Sequence, residues 1–407
     1  MSKPRAPRLR GAAAALALML APHLAAAQLS DEVVRIGVLT DLSGPYADFA
    51  GPGSVLATRM AIEDHGGRVL GKPVEVVNAD HQNKPDVGGA LARRWIDTDR
   101  VDMIIDMPNS SVALAVQQVG RERNRIIINS SASTTELTGR QCSPVGFHWT
   151  SDSYALSSGT TRAVMQQGGK SWYYLTVDYE GGYALERGSE GVVKAEGGTV
   201  LGHARHPLNT SDFSSFLLQA QASKAQVVAL ANAGTDTINA IKQAGEFGLT
   251  KGGQRLVGMF VNVNDVKALG LQTAQGVVTV EAWYWDQSDE TRAFAARFAE
   301  RNRGTVPSQY QAGIYSAVRH YLKAVEAAGT DEAMAVAAKM RALPVNDVFT
   351  RNGVVRADGR HVHDLYLVEV KKPAESKGPW DLYKVLATVP AAQAFKAPDA
   401  ACPLVKP

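Results

Sequence analysis

Two runs of small hydroxylated residues are the places in this chain where a ligand could be held. Pro108-Asn109-Ser110-Ser111 follows the apolar run Met103-Ile104-Ile105, and Asn129-Ser130-Ser131-Ala132-Ser133-Thr134 follows Ile126-Ile127-Ile128. Val112 to Arg123, between them, has the pattern of a helix. A helix N-terminus carries unpaired N–H groups and a partial positive charge, so a serine there suits a carboxylate or a phosphate. Ser and Thr after strands are also ordinary helix caps. Two such clusters on adjacent crossovers, at the same edge of a sheet, favour the ligand. Ser110, at the start of that helix and beside Asn109, is the first candidate, with the hydroxyls of the second cluster opposite it.

Signatures of catalysis are mostly absent. The chain has no G-x-S-x-G, no H-E-x-x-H and no G-x-x-x-x-G-K-[ST]. The Gly51-Pro52-Gly53 group lacks a third glycine and does not directly follow a strand, which argues against a dinucleotide site. A hydrolase using Ser110 as nucleophile would need a histidine within hydrogen-bond reach, for which His81 and His148 are the candidates. His361 and His363 share one face of a strand but sit beside a turn with no third ligand, so a surface hairpin is expected rather than a metal site. No cofactor is implied. Aromatics supply a third signal. Trp283, Tyr284 and Trp285 follow a strand, and Tyr310 and Tyr315 flank the next helix, a set that suits a flat or apolar ligand body.

The elements that must position these residues alternate strand and helix. Val33–Leu39, Val74–Asn78, Val101–Asp106 and Ile126–Ile128 read as strands, with helices between them, which predicts a doubly wound α/β lobe. The alternation restarts near Trp149 and runs through strands at Ser171–Val177, Thr199–His203, Ala225–Leu230 and Arg255–Phe260, which predicts a second, similar lobe. Ligands in open parallel sheets sit outside the carboxyl ends of the strands, where both serine clusters fall. Further on come a strand at Val277–Trp283, amphipathic helices, and a hairpin from Val354 to Val370 turning at Asp358-Gly359. These pieces are too short for a third domain and read as the chain crossing back to complete each lobe.

The chain has 407 residues, 45% hydrophobic, which is ample for two cored lobes. Its net charge of +3 comes from the first 27 residues, which hold Lys3, Arg5, Arg8 and Arg10 and no acid, leaving 39 basic against 40 acidic residues. Nothing after that leader suggests a nucleic-acid surface. The leader itself, a basic start, the apolar run Gly11–Leu20 and Ala25-Ala26-Ala27, fits a signal peptide cleaved near Ala27. The apolar run is about half the ~20 residues needed to span a bilayer. The remainder is expected to be exported and soluble in the periplasm. Two cysteines, Cys142 and Cys402, allow one intramolecular disulfide or two free thiols, and an oxidising compartment favours the disulfide.

Three segments then carry a resemblance. Gly37-Val38-Leu39-Thr40-Asp41-Leu42-Ser43-Gly44-Pro45, Asn109-Ser110-Ser111 and Ser131-Ala132-Ser133-Thr134-Thr135-Glu136-Leu137-Thr138 resemble the periplasmic leucine/isoleucine/valine-binding protein family, the solute receptors of ABC importers. The likeness runs from about Val33 to Leu386. It implies two doubly wound, Rossmann-like α/β lobes joined by three hinge crossovers, the type I periplasmic binding protein fold. The expected division is a signal peptide at 1–27, a first lobe of 28–150 plus 282–348, a second of 151–281 plus 349–390, and a tail at 391–407 returning toward Cys142. It further implies a carboxylate held by Ser110, Ser131 and Ser133, an aromatic at Phe49, and second-lobe contacts at Gly181 and at Ala233 or Gly234. Phe260 and Trp283 complete the expected lining. Amino-acid receptors of the family pair the ligand ammonium with a second-lobe acid, whereas Val257–Asn262 holds none before Asp265. The expectation is therefore a small carboxylate without an α-amino group, such as an aromatic acid, in a cleft enlarged by Gly181, Ala233 and Gly234. Permease and ATPase subunits of an importer are the implied partners of what is expected to be a monomer. Branched-chain amino-acid binding and presentation of a ligand to a membrane receptor are the alternatives.

Overall fold

A computed structural model describes residues 1–3, 29–249 and 252–405. The expected leader falls almost wholly outside them. Among the described residues no helix is long and apolar enough to cross a membrane.

The first lobe is built on a sheet of β1 (Val34–Thr40), β2 (Arg68–Val69), β3 (Lys72–Asp80), β4 (Met103–Asp106), β5 (Ile126–Asn129) and β6 (Gly146–His148). Their order is β2-β3-β1-β4-β5-β6, parallel except for the edge strand β2. The central strands are apolar because helices cover both faces. One face packs Val38, Ile105 and Ile128 against Met60, Val318 and Tyr321, and the other packs Leu39, Ile104 and Ile127 against Trp95, Val112 and Val116. Helix α1 (Gly51–Asp64) and helix α2 (Pro85–Asp97) make the first crossovers, and α3 (Ser110–Arg123) joins β4 to β5.

The second lobe repeats the plan. Strands β7 (Ser171–Val177), β8 (Thr199–His206), β9 (Val227–Ala231) and β10 (Arg255–Gly258) lie parallel in the order β10-β9-β7-β8. Helix α4 (Ser153–Gln166) leads into β7, and α5 (Glu180–Ala195) follows it. In both sheets the first strand lies inside the order, with chain continuing to either side. That makes two topological switch points, β1/β4 and β7/β9, each opening a crevice at the strands' carboxyl ends. The two crevices face each other.

The chain passes between the lobes three times. Trp149, Trp283 and Leu365 belong to the first lobe's core, while Leu156, Tyr284 and Val368 belong to cores of the second. The last part departs from the sequence reading. Only β12 (Val354–Val355) and β13 (His361–Val362) form the hairpin around Asp358-Gly359, and it packs on the first lobe with Phe349 and Val355 in that core. The return to the second lobe therefore comes near Leu365 rather than at 349. From there β14 (Leu365–Val370) enters a separate three-stranded antiparallel sheet between β11 (Val278–Glu281) and β15 (Tyr383–Val389). After the Asp358-Gly359 turn no Gly or Pro interrupts Arg360–Val370, so the sequence does not mark where one sheet ends and the next begins.

The expected surface hairpin is also corrected. His361 and His363 are buried, with His361 Nδ1 3.1 Å from Trp149 O and His363 Nε2 2.8 Å from Thr150 O. Burial holds His361 well below its ordinary pKa and His363 down at about 4, so both rings are neutral. They brace the first crossover. Among the described residues no group of three or more His, Cys, Asp or Glu could hold a metal. Cys142 and Cys402 form a disulfide across a sequence separation of 260, with Cα atoms 5.7 Å apart.

Candidate functional site

The loops leaving β4 and β5 bring the two serine clusters together. Asp106 and Met107 take positive φ values of 95° and 51°, turning the chain sharply before α3. Asn109 caps that helix, its side chain accepting from Ser111 N at 3.0 Å and Val112 N at 3.2 Å. Ser110 then projects its hydroxyl toward the β5 loop. Ser133 N and Thr134 N donate to Ser110 Oγ at 3.2 and 3.3 Å, and Ser133 Oγ lies 3.4 Å from it. Two backbone donors, two hydroxyls and the positive end of α3 thus converge on one point. An anion there would take the place Ser110 Oγ now holds as acceptor.

Facing this point across the crevice is the second lobe. Ser133 Oγ donates to Gly181 O at 3.4 Å, and Thr134 Oγ1 donates to Glu180 Oε1 at 2.8 Å. The Tyr46 and Tyr179 hydroxyls lie 2.6 Å apart, and Thr235 N donates to Pro45 O at 3.2 Å. Between them is a cavity of about 10 Å³, lined by Tyr46, Phe49, Pro108, Ser133, Val177, Tyr179, Gly181, Gly182, Leu185, Asn232, Ala233 and Phe260. That is room for about one water molecule. Phe49 and Phe260 meet across the lobes with ring centroids 5.3 Å apart, and Tyr310 stacks on Phe260 at 5.2 Å. A wider groove of about 880 Å³, with Arg59, Lys267 and Arg303 among its residues, touches neither serine cluster.

The candidates therefore divide. Phe49, Ser133, Gly181, Ala233 and Phe260 line the cavity, and Ser110 lies directly behind Ser133. Asn109 is a helix cap. Ser131 faces away, donating to Asp106 Oδ1 at 2.6 Å. Trp283 lies in the first lobe's core, edge-on to Phe294, its indole N–H donating to Val348 O at 3.0 Å. Tyr310 and Tyr315, expected to flank a helix, lie inside it, at Gln309–Ala328. Tyr46, Tyr179 and Asn232 were not foreseen. The signal for Tyr179 was its place directly after β7, the counterpart of the β1 loop that carries Phe49.

The expected enlargement does not occur. A Cβ on Gly181 would stand 2.6 Å from Tyr179 Oη, so the missing side chain is replaced by the tyrosine ring. Gly234 has φ +58°, and a Cβ there would stand 2.1 Å from Pro45 O. Both glycines let the lobes approach rather than leave space.

No carboxylate lines the cavity. Asp236, at the start of the helix Thr235–Glu246, accepts from Asn209 N at 3.1 Å and Thr210 N at 2.8 Å. Asp265 Oδ2 accepts from Asn262 N at 2.9 Å in a capping box. Burial pushes Asp265 up to about 7 from an ordinary 3.8 and Glu281 well above its usual range. The folded state therefore holds Asp265's proton more tightly than the unfolded chain does. The stability this contributes is present below about pH 4 and is lost as pH rises toward 7. An Asp265→Asn variant keeps the acceptor for Asn262 N and removes the titration. Its stability relative to wild type should rise from pH 4 to pH 7 by up to about 1.4 kcal/mol per unit. Parallel urea curves for the two proteins across that range would reject the assignment.

Among the described residues Ser110 has no histidine partner. His148 Nε2 lies 2.7 Å from Ala132 O, and His81 Nδ1 accepts from Asn83 N at 2.9 Å. The arrangement can bind an anion but has no base to activate a nucleophile.

Comparison with known proteins agrees with this geometry. The family model described as periplasmic binding protein matches residues 33–378. Leu/Ile/Val-binding protein homolog 6 of Brucella melitensis is 28% identical over 368 residues, covering 88% of this chain and 93% of its own. The crystal structure of a periplasmic binding protein from Burkholderia mallei is 49% identical, with a TM-score of 0.90, covering 92% of this chain and 100% of that one. A branched-chain amino acid ABC transporter periplasmic ligand-binding protein from Burkholderia xenovorans is 41% identical, with a TM-score of 0.78, covering 89% and 97%. Proteins of this kind bind solutes for ABC transporters and are not enzymes. A matched family model spanning most of the chain, two facing switch points and an anion-ready cleft without a catalytic base together show that the chain belongs to the periplasmic binding protein family, alongside the Leu/Ile/Val-binding proteins.

Proposed function

We propose that this protein captures a small carboxylate lacking an α-amino group, an aromatic acid of the benzoate or cinnamate type, between its lobes and delivers it to the permease of an ABC importer. The observation that carries the reading is the composition of the cleft wall. Donors converge at Ser110, Ser133 and Thr134, aromatic rings stand at Tyr46, Phe49, Tyr179 and Phe260, and no carboxylate lines the cavity to balance an ammonium; Glu180, the acid beside it, is held by Thr134 and Arg187. A buried ammonium without a counter-charge is costly. The ligand carboxylate would accept from Ser133 N, Thr134 N and the Ser110 hydroxyl, and its body would lie against the Phe49 and Phe260 rings, in the space Tyr179 now takes. Hinge closure would then bury it and present the closed surface to the permease. The cavity of about 10 Å³ requires the lobes to part further for such a ligand than they do here. The same fold holds benzoate in a solute-binding protein of Rhodopseudomonas palustris that is 22% identical to this chain, a likeness of fold alone. The protein would act in the periplasm as a monomer.

The test is a thermal-shift and calorimetric panel of amino acids against aromatic and aliphatic carboxylates, run on wild type and Ser110→Ala. Aromatic acids should raise the melting temperature and amino acids should not. Ser110→Ala should weaken the best acid by roughly 10- to 150-fold, the range for losing one hydrogen bond to a charged group. A shift with leucine or valine and none with aromatic acids would overturn the ligand class, in favour of the branched-chain amino-acid binding named for the Burkholderia xenovorans structure.

A further inference from the structure

We infer that Tyr179 sets what the cleft admits: its ring stands where a ligand's body must go, and its hydroxyl bridge to Tyr46 ties the lobes together over the cavity. The inference rests on the cleft being the ligand site. It is carried by where the tyrosine is and by how it is held.

Tyr179 occupies the N-cap position of α5, with φ −160° and ψ 175°, and makes no side-chain capping bond. Short polar residues are preferred there because they satisfy the first free N–H groups. This helix forgoes that contact and places an aromatic ring over the cleft instead. The ring fits only because residue 181 is glycine, whose added Cβ would come within 2.6–2.8 Å of the tyrosine's Oη, Cε2 and Cζ. Its hydroxyl reaches 2.6 Å across the lobe boundary to Tyr46. What remains beside Ser133 is the cavity of about 10 Å³. Any acid that brings more than a water-sized group to Ser110 and Ser133 must therefore displace a wall. Phe49, Phe260 and Tyr310 brace one another, each with ring centroids 5.2–5.5 Å from the other two. Tyr179 stands in no aromatic pair among the described residues. It is the wall that can swing, by turning about its own side-chain bonds as the lobes part.

Two states follow, one with Tyr179 inward and bridged to Tyr46, one with it outward and the cleft accessible. When only the second binds ligand, the apparent dissociation constant is the intrinsic one divided by the accessible fraction. Loosening the bridge should therefore tighten binding, the reverse of what removing a ligand contact does. The experiment compares wild type, Tyr46→Phe, Tyr179→Phe and Tyr179→Ala by small-angle scattering of the protein alone and by titration with benzoate and 2-naphthoate. Tyr46→Phe and Tyr179→Phe keep the rings and remove the bridge. They should raise the radius of gyration and tighten benzoate binding about threefold to tenfold, the range for one neutral hydrogen bond. Tyr179→Ala should gain 2-naphthoate, which wild type should reject. Weaker benzoate binding at an unchanged radius of gyration would overturn the inference and make Tyr179 an ordinary ligand contact. If no variant and no wild type binds any aromatic acid, the ligand class proposed above falls, and scattering still decides: an unchanged radius of gyration in all three variants overturns the gate, an increased one supports it.

Discussion

Replacing Arg360 by methionine should destabilise the protein by about 3–5 kcal/mol, the range for removing one partner of a buried ion pair. Arg360 is fully buried where the β12–β13 hairpin meets the first crossover. Its Nη2 donates to Thr150 O at 2.6 Å and its Nε to His361 O at 2.9 Å. Asp152 Oδ2 lies 3.8 Å from Nη1, while Oδ1 of the same residue accepts from Ala155 N at 2.9 Å and caps α4. One guanidinium therefore ties the hairpin to the crossover and balances the buried acid that starts the second lobe. Burial pulls its pKa down to about 10, which still leaves it charged at neutral pH. Methionine would fill much of the volume but leave Asp152 without its counter-charge and Thr150 O with only His363 as donor. An Arg360→Met/Asp152→Ser double variant keeps a capping hydroxyl and removes the stranded charge, so it should recover part of the loss. Urea midpoints for the three proteins provide the measurement. A single variant within about 1 kcal/mol of wild type would show that the crossover does not depend on this charge.

The second large effect is expected at the disulfide that fixes the C-terminal tail. Cys142→Ser/Cys402→Ser should lower stability by about 2–4 kcal/mol, because the cross-link closes a loop of 260 residues and restricts the unfolded chain. It also holds the tail in place. Phe395, buried near the tail's short helix at Ala391–Ala394, lies under the Arg360 guanidinium at 4.4 Å and beside His363 at 5.2 Å. Releasing the tail would uncover the arginine, so the two losses should not add when the variants are combined. Wild type in reducing agent should fall to the level of the double variant. Equal urea midpoints for the oxidised wild type and the double variant would mean that the bridge contributes nothing to the folded state.

The two lobes and the place of the cleft were legible because they rest on local patterns. Strands covered on both faces read as apolar runs, and helices of the right length between them leave parallel crossovers as the only arrangement. The carboxyl ends of β4 and β5 then follow from chain direction, which places both serine clusters at one sheet edge, while the choice of Ser110, Ser131 and Ser133 within them rested on the family resemblance. The local pattern stops being informative where the chain changes sheets. No Gly or Pro interrupts Arg360–Val370, yet this run is divided between a hairpin on the first lobe and a strand of a separate antiparallel sheet, because pairing partners are chosen by distant segments.

Side-chain direction marks the same limit at the site. Asn109, Ser110, Ser131 and Ser133 are chemically alike in sequence. A positive φ at Asp106 and Met107 and the pleat of the β5 loop send Ser110 and Ser133 toward the cleft, leaving Asn109 on its helix and Ser131 on Asp106. Glycine is ambiguous in the same way. At Gly181 and Gly234 the sequence shows only that no side chain is present. Whether that space goes to a ligand or to the opposing lobe depends on how closely the lobes meet, and here Tyr179 and Pro45 take it. What the sequence by itself determined is the two-lobed α/β fold and the edge of the sheet at which the serine clusters fall, since these depend on periodicity and chain direction, while the family followed from the resemblance of three segments. The tertiary structure alone decided which hydroxyls converge, which aromatic rings form the walls and how little room remains between them, since these depend on contacts between residues far apart in the chain.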